Sequence, residues 1–591
     1  MTNGRSLRAV IAALALVGAA CSSPGSTGGG QGGSGSPGGS SGAAGNSPTG
    51  SGGTATGLGG FSGGVGGGAG PGGASGSGAG GGNGGGTGGT GGTTGMGGVT
   101  GAGGLTGGGN SCMTGTPTGT APNTLAVNVD TATNTVNKEI YGVLMERLGR
   151  DITGGLFVGT SSIIPNTNGM RNDIIQGFKD AGVGMIEWPG GCAANNYNFN
   201  PPNPGNDMGT DRYMQLCATL GIDPYIAGGG TAALAARNLQ WLTYINNNTT
   251  HPEWNLKYFK IGNEVWGCGG NQTEATYETN YATNVGMLSA PINGKTTSLI
   301  ASTGLIGNTA WLTTQLMNQA SMIDGIEVHD YVYHPTDIPS TGFTDAQYYN
   351  VINAANRGQI GPRLTQYIGI LDQFDPQKRI KIWEDEWGDW LEPLNSATDG
   401  FFQQMTLMDA ISTAEQLHLF MQHADRVFMG GMAQAVNVIH SLFFTRTADA
   451  ALVKTPAFYV FKMFIPHHSS GAKWAPNTLT SENITGNGAT FPVLSAGATV
   501  DTLGHVNISL ANVDLVNTHT IQINLTSAKA GYTVSSAQII TGPAKDSFND
   551  FNQTETVNIE TLPASSCTIS GKALRVTLPS KSVVMLVLTP Q

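Results

Sequence analysis

The chain has 591 residues and carries 27 Lys and Arg against 38 Asp and Glu, a formal net charge of −11, with no run of basic residues. That balance lacks the electrostatic footprint of a nucleic-acid binder or of a polybasic membrane binder, and both classes are excluded. Glycine is unevenly spread: 46 of the 92 glycines fall between Cys21 and Asn110, and Ala9 to Val129 holds no Asp, Glu, Lys or Arg. A stretch of that composition buries too little apolar surface to offset its ordering entropy, so it is expected to be a disordered linker and not a domain.

The first element in chain order is the apolar block from Ala9 to Ala20, preceded by Arg5 and Arg8. It is shorter than the ~20 residues that span a bilayer and reads as the hydrophobic part of a secretory signal. The signal ends Val17-Gly18-Ala19-Ala20-Cys21-Ser22-Ser23, which resembles the lipobox of bacterial lipoproteins, with Gly18 where Leu is usual. The resemblance implies a signal over residues 1–20 and lipidation of Cys21; an ordinary signal cleaved after Ala20 is the other reading. Residues 21–116 then act as a tether, whose r.m.s. reach of about 5–6 Å times the square root of its length comes to roughly 50 Å. The expected localisation is export, with the folded part lipid-anchored to a bacterial membrane, or secreted if Cys21 carries no lipid.

Beyond Cys21 there are five cysteines, Cys112, Cys192, Cys217, Cys268 and Cys567, in no C-x-x-C and in no zinc-like spacing with histidine. A structural metal site is not expected, export permits disulfides, and the odd number leaves at least one free thiol. The pairing is open.

Residues 117–137 contain an alternating segment, Thr124 to Asp130, expected to lend a strand to a β-sandwich further on. From 138 to 468, short β-rich runs at 139–143, 184–188, 224–227, 258–262, 297–300, 325–329, 380–383 and 426–429 alternate with longer stretches of helical spacing. Eight such repeats predict a (β/α)8 barrel, with a doubly wound open sheet as the rival. No Gly-x-Gly-x-x-Gly stands at a strand-to-helix turn, and the run Gly228-Gly229-Gly230 lacks a partner acid, so no nucleotide cofactor is expected. Residues 469–591 switch to alternating β-rich segments broken by Gly, Asn, Pro and Ser, the pattern of an all-β sandwich.

In a barrel, chemistry sits at the C-terminal ends of the strands. The fourth run ends Lys260-Ile261-Gly262-Asn263-Glu264 and the seventh Trp383-Glu384-Asp385-Glu386-Trp387. Each places a carboxylate at the catalytic rim, beside tryptophans able to form a sugar-stacking wall. Paired carboxylates at strands four and seven suggest a glycosidase.

Further motifs follow in a set order: Ile140-Tyr141-Gly142 leading to Glu146, Trp188-Pro189-Gly190-Gly191-Cys192, Gly262-Asn263-Glu264-Val265-Trp266-Gly267-Cys268, His329-Asp330-Tyr331, Asp385-Glu386-Trp387-Gly388 and Ala433-Gln434-Ala435-Val436-Asn437. Over residues 140–467 this series resembles glycoside hydrolase family 51, the α-L-arabinofuranosidases. The resemblance implies a retaining hydrolase without metal or organic cofactor, acting on arabinose-containing poly- or oligosaccharides. It implies Glu386 as nucleophile, Glu264 as acid/base, Asn263 on a sugar hydroxyl, Tyr331 bonded to the nucleophile, and Glu146 and Gln434 gripping the furanose ring. Glu187, Cys192, Trp266 and His329 complete the expected sugar-binding set.

The chain departs from the family pattern at Glu187, where Arg is usual before the aromatic and Pro-Gly-Gly, at Gly228, where Asn is usual, and in the loop after the second strand, shortened around 200–206. Glu187 is expected either to face the pocket, adding a negative charge to it, or to turn away onto Arg150 or Arg171. Two other functions share these residues: a related hydrolase of β-linked glucan or xylan, and a non-catalytic surface carbohydrate binder.

Overall fold

Eight parallel strands close into a barrel in the computed structural model, which describes residues 112–199, 208–394 and 400–591. The signal, Cys21, the glycine-rich run and all of 200–206 lie outside the described residues. The strands are β1 (Gly142–Leu144), β2 (Met185–Trp188), β3 (Asp223–Gly228), β4 (Tyr258–Ile261), β5 (Ser298–Ala301), β6 (Gly325–Pro339), β7 (Lys381–Glu392) and β8 (Val427–Ala433), each paired with its sequence neighbour and β8 with β1. A helix follows each: α1 (Asn172–Ala181), α2 (Gly209–Leu220), α3 (Ala235–Asn246), α4 (Glu274–Leu288), α5 (Thr309–Gln319), α6 (Ile360–Phe374), α7 (Leu407–Gln422) and α8 (Pro456–Phe464). The rival open sheet is thereby discarded.

Strand alternation sets the interior. Along β2, Met185 and Glu187 point inward, while Trp188 points out and stacks on Tyr213 of α2 with ring centroids 5.2 Å apart. One inward layer is an apolar plug of Met185, Tyr225, Ile300, Trp383 and Met429. The next layer, one alternation closer to the C-terminal rim, gathers Glu187, Lys260, Glu327 and Asp385.

The structure differs from the sequence reading in three places. β6 and β7 run well past the expected ends at 329 and 383, because beyond the rim they continue to pair with each other, in register to His334 and Leu391 and again, after a shift, at Pro339 and Glu392. The tryptophans flanking the seventh-strand carboxylates form no sugar wall: Trp383 lies in the apolar plug, and Trp387 is buried against Phe420 and Phe461. The folded chain also begins before the compositional boundary at 116, since Met113–Thr114 pairs with Cys567–Ser570 and Cys112 is disulfide-bonded to Cys567.

The second layer system is a sandwich of two six-stranded sheets. Asn123–Asn128 inserts into one of them between His519–Thr526 and Asn477–Thr480, as the alternation of 124–130 predicts. The α7 helix lies between barrel and sandwich and is buried on every side from Leu407 to Met421. Several of its polar side chains are accordingly matched inside the protein: Glu415 pairs with Arg357, and His418 meets the hydroxyls of Ser495 and Ser509.

Candidate active site

The end of β4 carries the first carboxylate. Gly262, at φ +90°, turns the chain where a Cβ would come within 3.0 Å of Gly230 Cα, so the glycine run after β3 serves close backbone approach between neighbouring strand ends. Glu264 itself takes a left-handed φ of +44°. Its side chain is 14% exposed, with Oε1 3.3 Å from His329 Nδ1. Oε2 lies 3.6 Å and 3.9 Å from the sulfurs of Cys268 and Cys192, which are bonded to each other. Cys192, expected as a sugar-binding residue, therefore offers a disulfide sulfur and not a thiol. Among the described residues the unpaired cysteine is Cys217, buried, whose thiol burial pushes up to about 12.

The second carboxylate stands inside β7. Val328 of β6 pairs with Glu384 and His329 pairs with Glu386, leaving Asp385 without a counterpart. This bulge breaks the alternation, so that two successive acids, Asp385 and Glu386, both serve the interior. Glu386 is 7% exposed; Oε2 accepts a hydrogen bond from Tyr331 Oη at 2.9 Å and lies 3.4 Å from His329 Nδ1. Burial raises its pKa to about 7, opposed by His329, reinforced by Glu264 and opposed again by Lys260 and the Tyr331 hydroxyl. Burial works against charge on His329, yet Glu386, Glu264 and Glu327 around it raise its pKa well above the usual imidazole range. The imidazolium thus sits between two carboxylates whose oxygens, with its own nitrogen, all lie within 4.8 Å of one another.

Glu146, beyond β1, and Gln434, beyond β8, come from adjacent strands and are hydrogen-bonded, Gln434 Nε2 donating to Glu146 Oε1. Gly191 explains part of the Pro-Gly-Gly motif: at φ +53°, a Cβ there would fall 1.5 Å from Glu146 Oε2. Burial, then Glu386, Asp151 and Glu264, push Glu146 well above the usual carboxylate range. Asn263 is held from both sides by Asn195, which donates to its carbonyl at 2.9 Å and accepts from its N–H at 3.2 Å. Trp266 is half-buried against the barrel core.

Glu187 follows neither expected course. Its side chain is fully buried beneath the carboxylate pair, with Oε1 2.9 Å from Lys260 Nζ, so it is placed to contact an ion and not a sugar. Arg171 instead pairs with Asp173, and Arg150 donates to the Thr445 carbonyl. Lys260, Glu327, Asp385 and Asn195 escaped the sequence reading. Lys260 stood in plain view as a lone charge in an apolar strand, the one signal that pointed to it.

The model of the α-L-arabinofuranosidase C-terminal domain matches residues 385–582. An intracellular exo-α-L-arabinofuranosidase of Bacteroides ovatus is 32% identical over 499 residues, 78% of this chain and 95% of that protein. α-L-Arabinofuranosidase C of Emericella nidulans is 25% identical over 441 residues, 66% of this chain and 84% of the other. Among solved structures, the GH51 arabinofuranosidase of Xanthomonas axonopodis pv. citri superposes with a TM-score of 0.72 at 28% identity, covering 80% of this chain and all of that one. With the barrel, the sandwich and the β4 and β7 carboxylates in place, the chain belongs to the α-L-arabinofuranosidases of glycoside hydrolase family 51.

Proposed function

We propose that the protein is a retaining hydrolase that releases terminal α-L-arabinofuranosyl residues from arabinose-containing plant polysaccharides or oligosaccharides. The observation that carries the mechanism is the closeness of Glu264 and Glu386: one oxygen of each lies within 4.8 Å of the other, and both flank the same His329 Nδ1 at 3.3 Å and 3.4 Å. Direct attack by a carboxylate goes with groups about 5–5.5 Å apart, whereas an inverting enzyme needs about 6.5–9.5 Å to admit a water.

In this reading Glu386 attacks the anomeric carbon while Glu264 protonates the departing oxygen. Tyr331 and the His329 imidazolium support the negative charge of Glu386 before attack. Once Glu386 is esterified its charge is gone, and a negative charge on Glu264 meets less repulsion. The same residue then takes a proton from water, and the ester is hydrolysed. Glu146, held well above the usual carboxylate range by burial and its acidic neighbours, meets a hydroxyl of the furanose with Gln434 beside it. Asn263, whose Nδ2 has no acceptor among the described residues, donates to another. Trp266 flanks the subsite.

The test uses a fragment from residue 111 onward, which keeps the Cys112 disulfide, against aryl α-L-arabinofuranoside, aryl β-xyloside and carboxymethylcellulose. The arabinofuranoside is expected to be cleaved with retention of configuration by NMR. Preference for a β-glycoside would overturn the substrate, and an inverted product the mechanism.

Export on a lipidated Cys21, with the glycine-rich run as tether, is part of the same proposal. It is supported by the signal pattern and by two disulfides, which suit an oxidising compartment. Mass spectrometry of the mature chain should find a diacylglyceryl-modified Cys21, and an unmodified cysteine would refute the anchor.

A further inference from the structure

The one cation in the charged layer of the barrel does more than balance three acids. Lys260 is fully buried, with Nζ 2.9 Å from Glu187 Oε1, 2.9 Å from Glu327 Oε2, and in contact with Asp385 Oδ2. It reaches a fourth group that carries no charge, Asn263 Oδ1, at 2.8 Å. An ammonium has only donors, so it can meet the oxygen end of an amide and never the nitrogen end. That contact settles which way round the Asn263 side chain stands. Its Nδ2 is left as a buried donor without a partner among the described residues, whereas the buried amide donors beside it, those of Asn195 and Asn238, reach acceptors at 2.9 Å and 2.8 Å. Next to the acid Glu264 at the catalytic rim, an oxygen of a bound sugar is the acceptor that such a donor suits.

We propose that Lys260 is a positioning residue of the glycone subsite, locking the Asn263 amide with its oxygen on the ammonium and its NH2 available to an oxygen of the bound furanose. The inference rests on the reading of Asn263 as a sugar contact. The three acids are what hold Lys260 in place: Glu187 comes from β2, Glu327 from β6 and Asp385 from the β7 bulge, so the ammonium is fixed by strands on both sides of β4. Asn195 fixes the Asn263 backbone and Lys260 its side chain, which leaves the residue no freedom to turn.

The experiment is a cycle on purified enzyme: wild type, Lys260→Met, Asn263→Ala and the double variant, with kcat and KM measured on an aryl α-L-arabinofuranoside. Because removing a buried cation endangers folding, Glu187→Gln/Lys260→Met, which deletes charge and countercharge together, is carried in parallel with and without Asn263→Ala. Loss of Lys260 should lower kcat/KM by about 10–100-fold, the worth of one hydrogen bond to a charged group. It should cost nearly nothing once Asn263 is Ala. A folded variant with unchanged kcat/KM, or equal losses with and without Asn263, overturns the proposal. If no Lys260 variant folds, the side-chain NH2 of Asn263 in the wild type decides, assigned by its disappearance in Asn263→Asp: its resonances should shift when arabinose is added, and resonances that stay put overturn the proposal. Cleavage of the arabinofuranoside by the wild type, tested separately, is untouched by either outcome.

Discussion

The ends of β4 and β7 each deliver a glutamate to the same small volume, by opposite means. Glu264 lies beyond its strand on a left-handed residue, 14% exposed, with a disulfide against one oxygen and an imidazole against the other. Glu386 lies within its strand at a bulge, 7% exposed, held by a phenol and the same imidazole. One carboxylate stands on a loop scaffold and is the more open to solvent; the other stands on a ladder and is the more enclosed. A group that must trade protons with a leaving group and then with water suits the first setting. A group that must stay in line with one carbon atom suits the second.

The most drastic way to break the comparison is to remove each glutamate in turn. Glu386→Ala should lower kcat by about 10⁵-fold for every substrate, the scale seen when a covalent nucleophile is lost. Glu264→Ala should lose about 10²–10⁴-fold with a poor leaving group and much less in glycosylation by an activated aryl substrate, with azide restoring the second step. Equal losses for good and poor leaving groups would show that the two roles are not divided as proposed.

A finer probe is the pH dependence of the glycosylation burst. Glu386 must be ionised to attack, and its pKa is raised to about 7, so the burst rate should fall as pH drops below neutrality. Negative charge on Glu264 is one of the causes of that rise. Glu264→Gln, measured with an activated substrate, should therefore move the acidic limb to lower pH, by roughly one unit. A limb that stays in place would mean that some other group controls it.

Smaller still is the effect of the scaffold. Replacing both Cys192 and Cys268 by Ser loosens the loop that carries Glu264 and leaves β7 alone, so kcat/KM should fall by about tenfold through poorer alignment. The loss should be larger for poor leaving groups than for good ones. Cys112→Ser marks the lower end: it should reduce unfolding free energy by about 2–4 kcal/mol in a denaturant titration and leave kcat/KM unchanged.

The two strand ends were unequally legible in the sequence. Period-two runs and carboxylates at their ends located both glutamates, since inward and outward alternation is written directly in residue order. The β7 bulge was not visible: Glu384, Asp385 and Glu386 are three acids in a row, and only the pairing with β6 shows that the last two share the interior while Glu384 lies near Asp330 and Arg363. The partner of Glu187 was missed for a related reason. Residue order offers Arg150 and Arg171 as partners, while the cation lies two strands round the barrel at Lys260, a proximity that exists only once the sheet has closed. Disulfide pairing was illegible in the same way, with 76 and 455 residues between partners.

The strand Asn123–Asn128 has a consequence for how the molecule is made. It precedes the barrel in the chain, yet its partners His519–Thr526 and Asn477–Thr480 follow it, and the Cys112–Cys567 bond spans 455 residues. During synthesis this strand waits, unpaired, while the whole barrel is produced, and the sandwich closes only when the last strands have arrived. Contacts so distant in sequence form slowly. An uncharged segment with an unmatched edge is exposed to aggregation for that entire interval. Expression yield should therefore respond to the solubility of residues 112–130 and to how early the chain meets an oxidant, well before catalysis or folded stability comes into play.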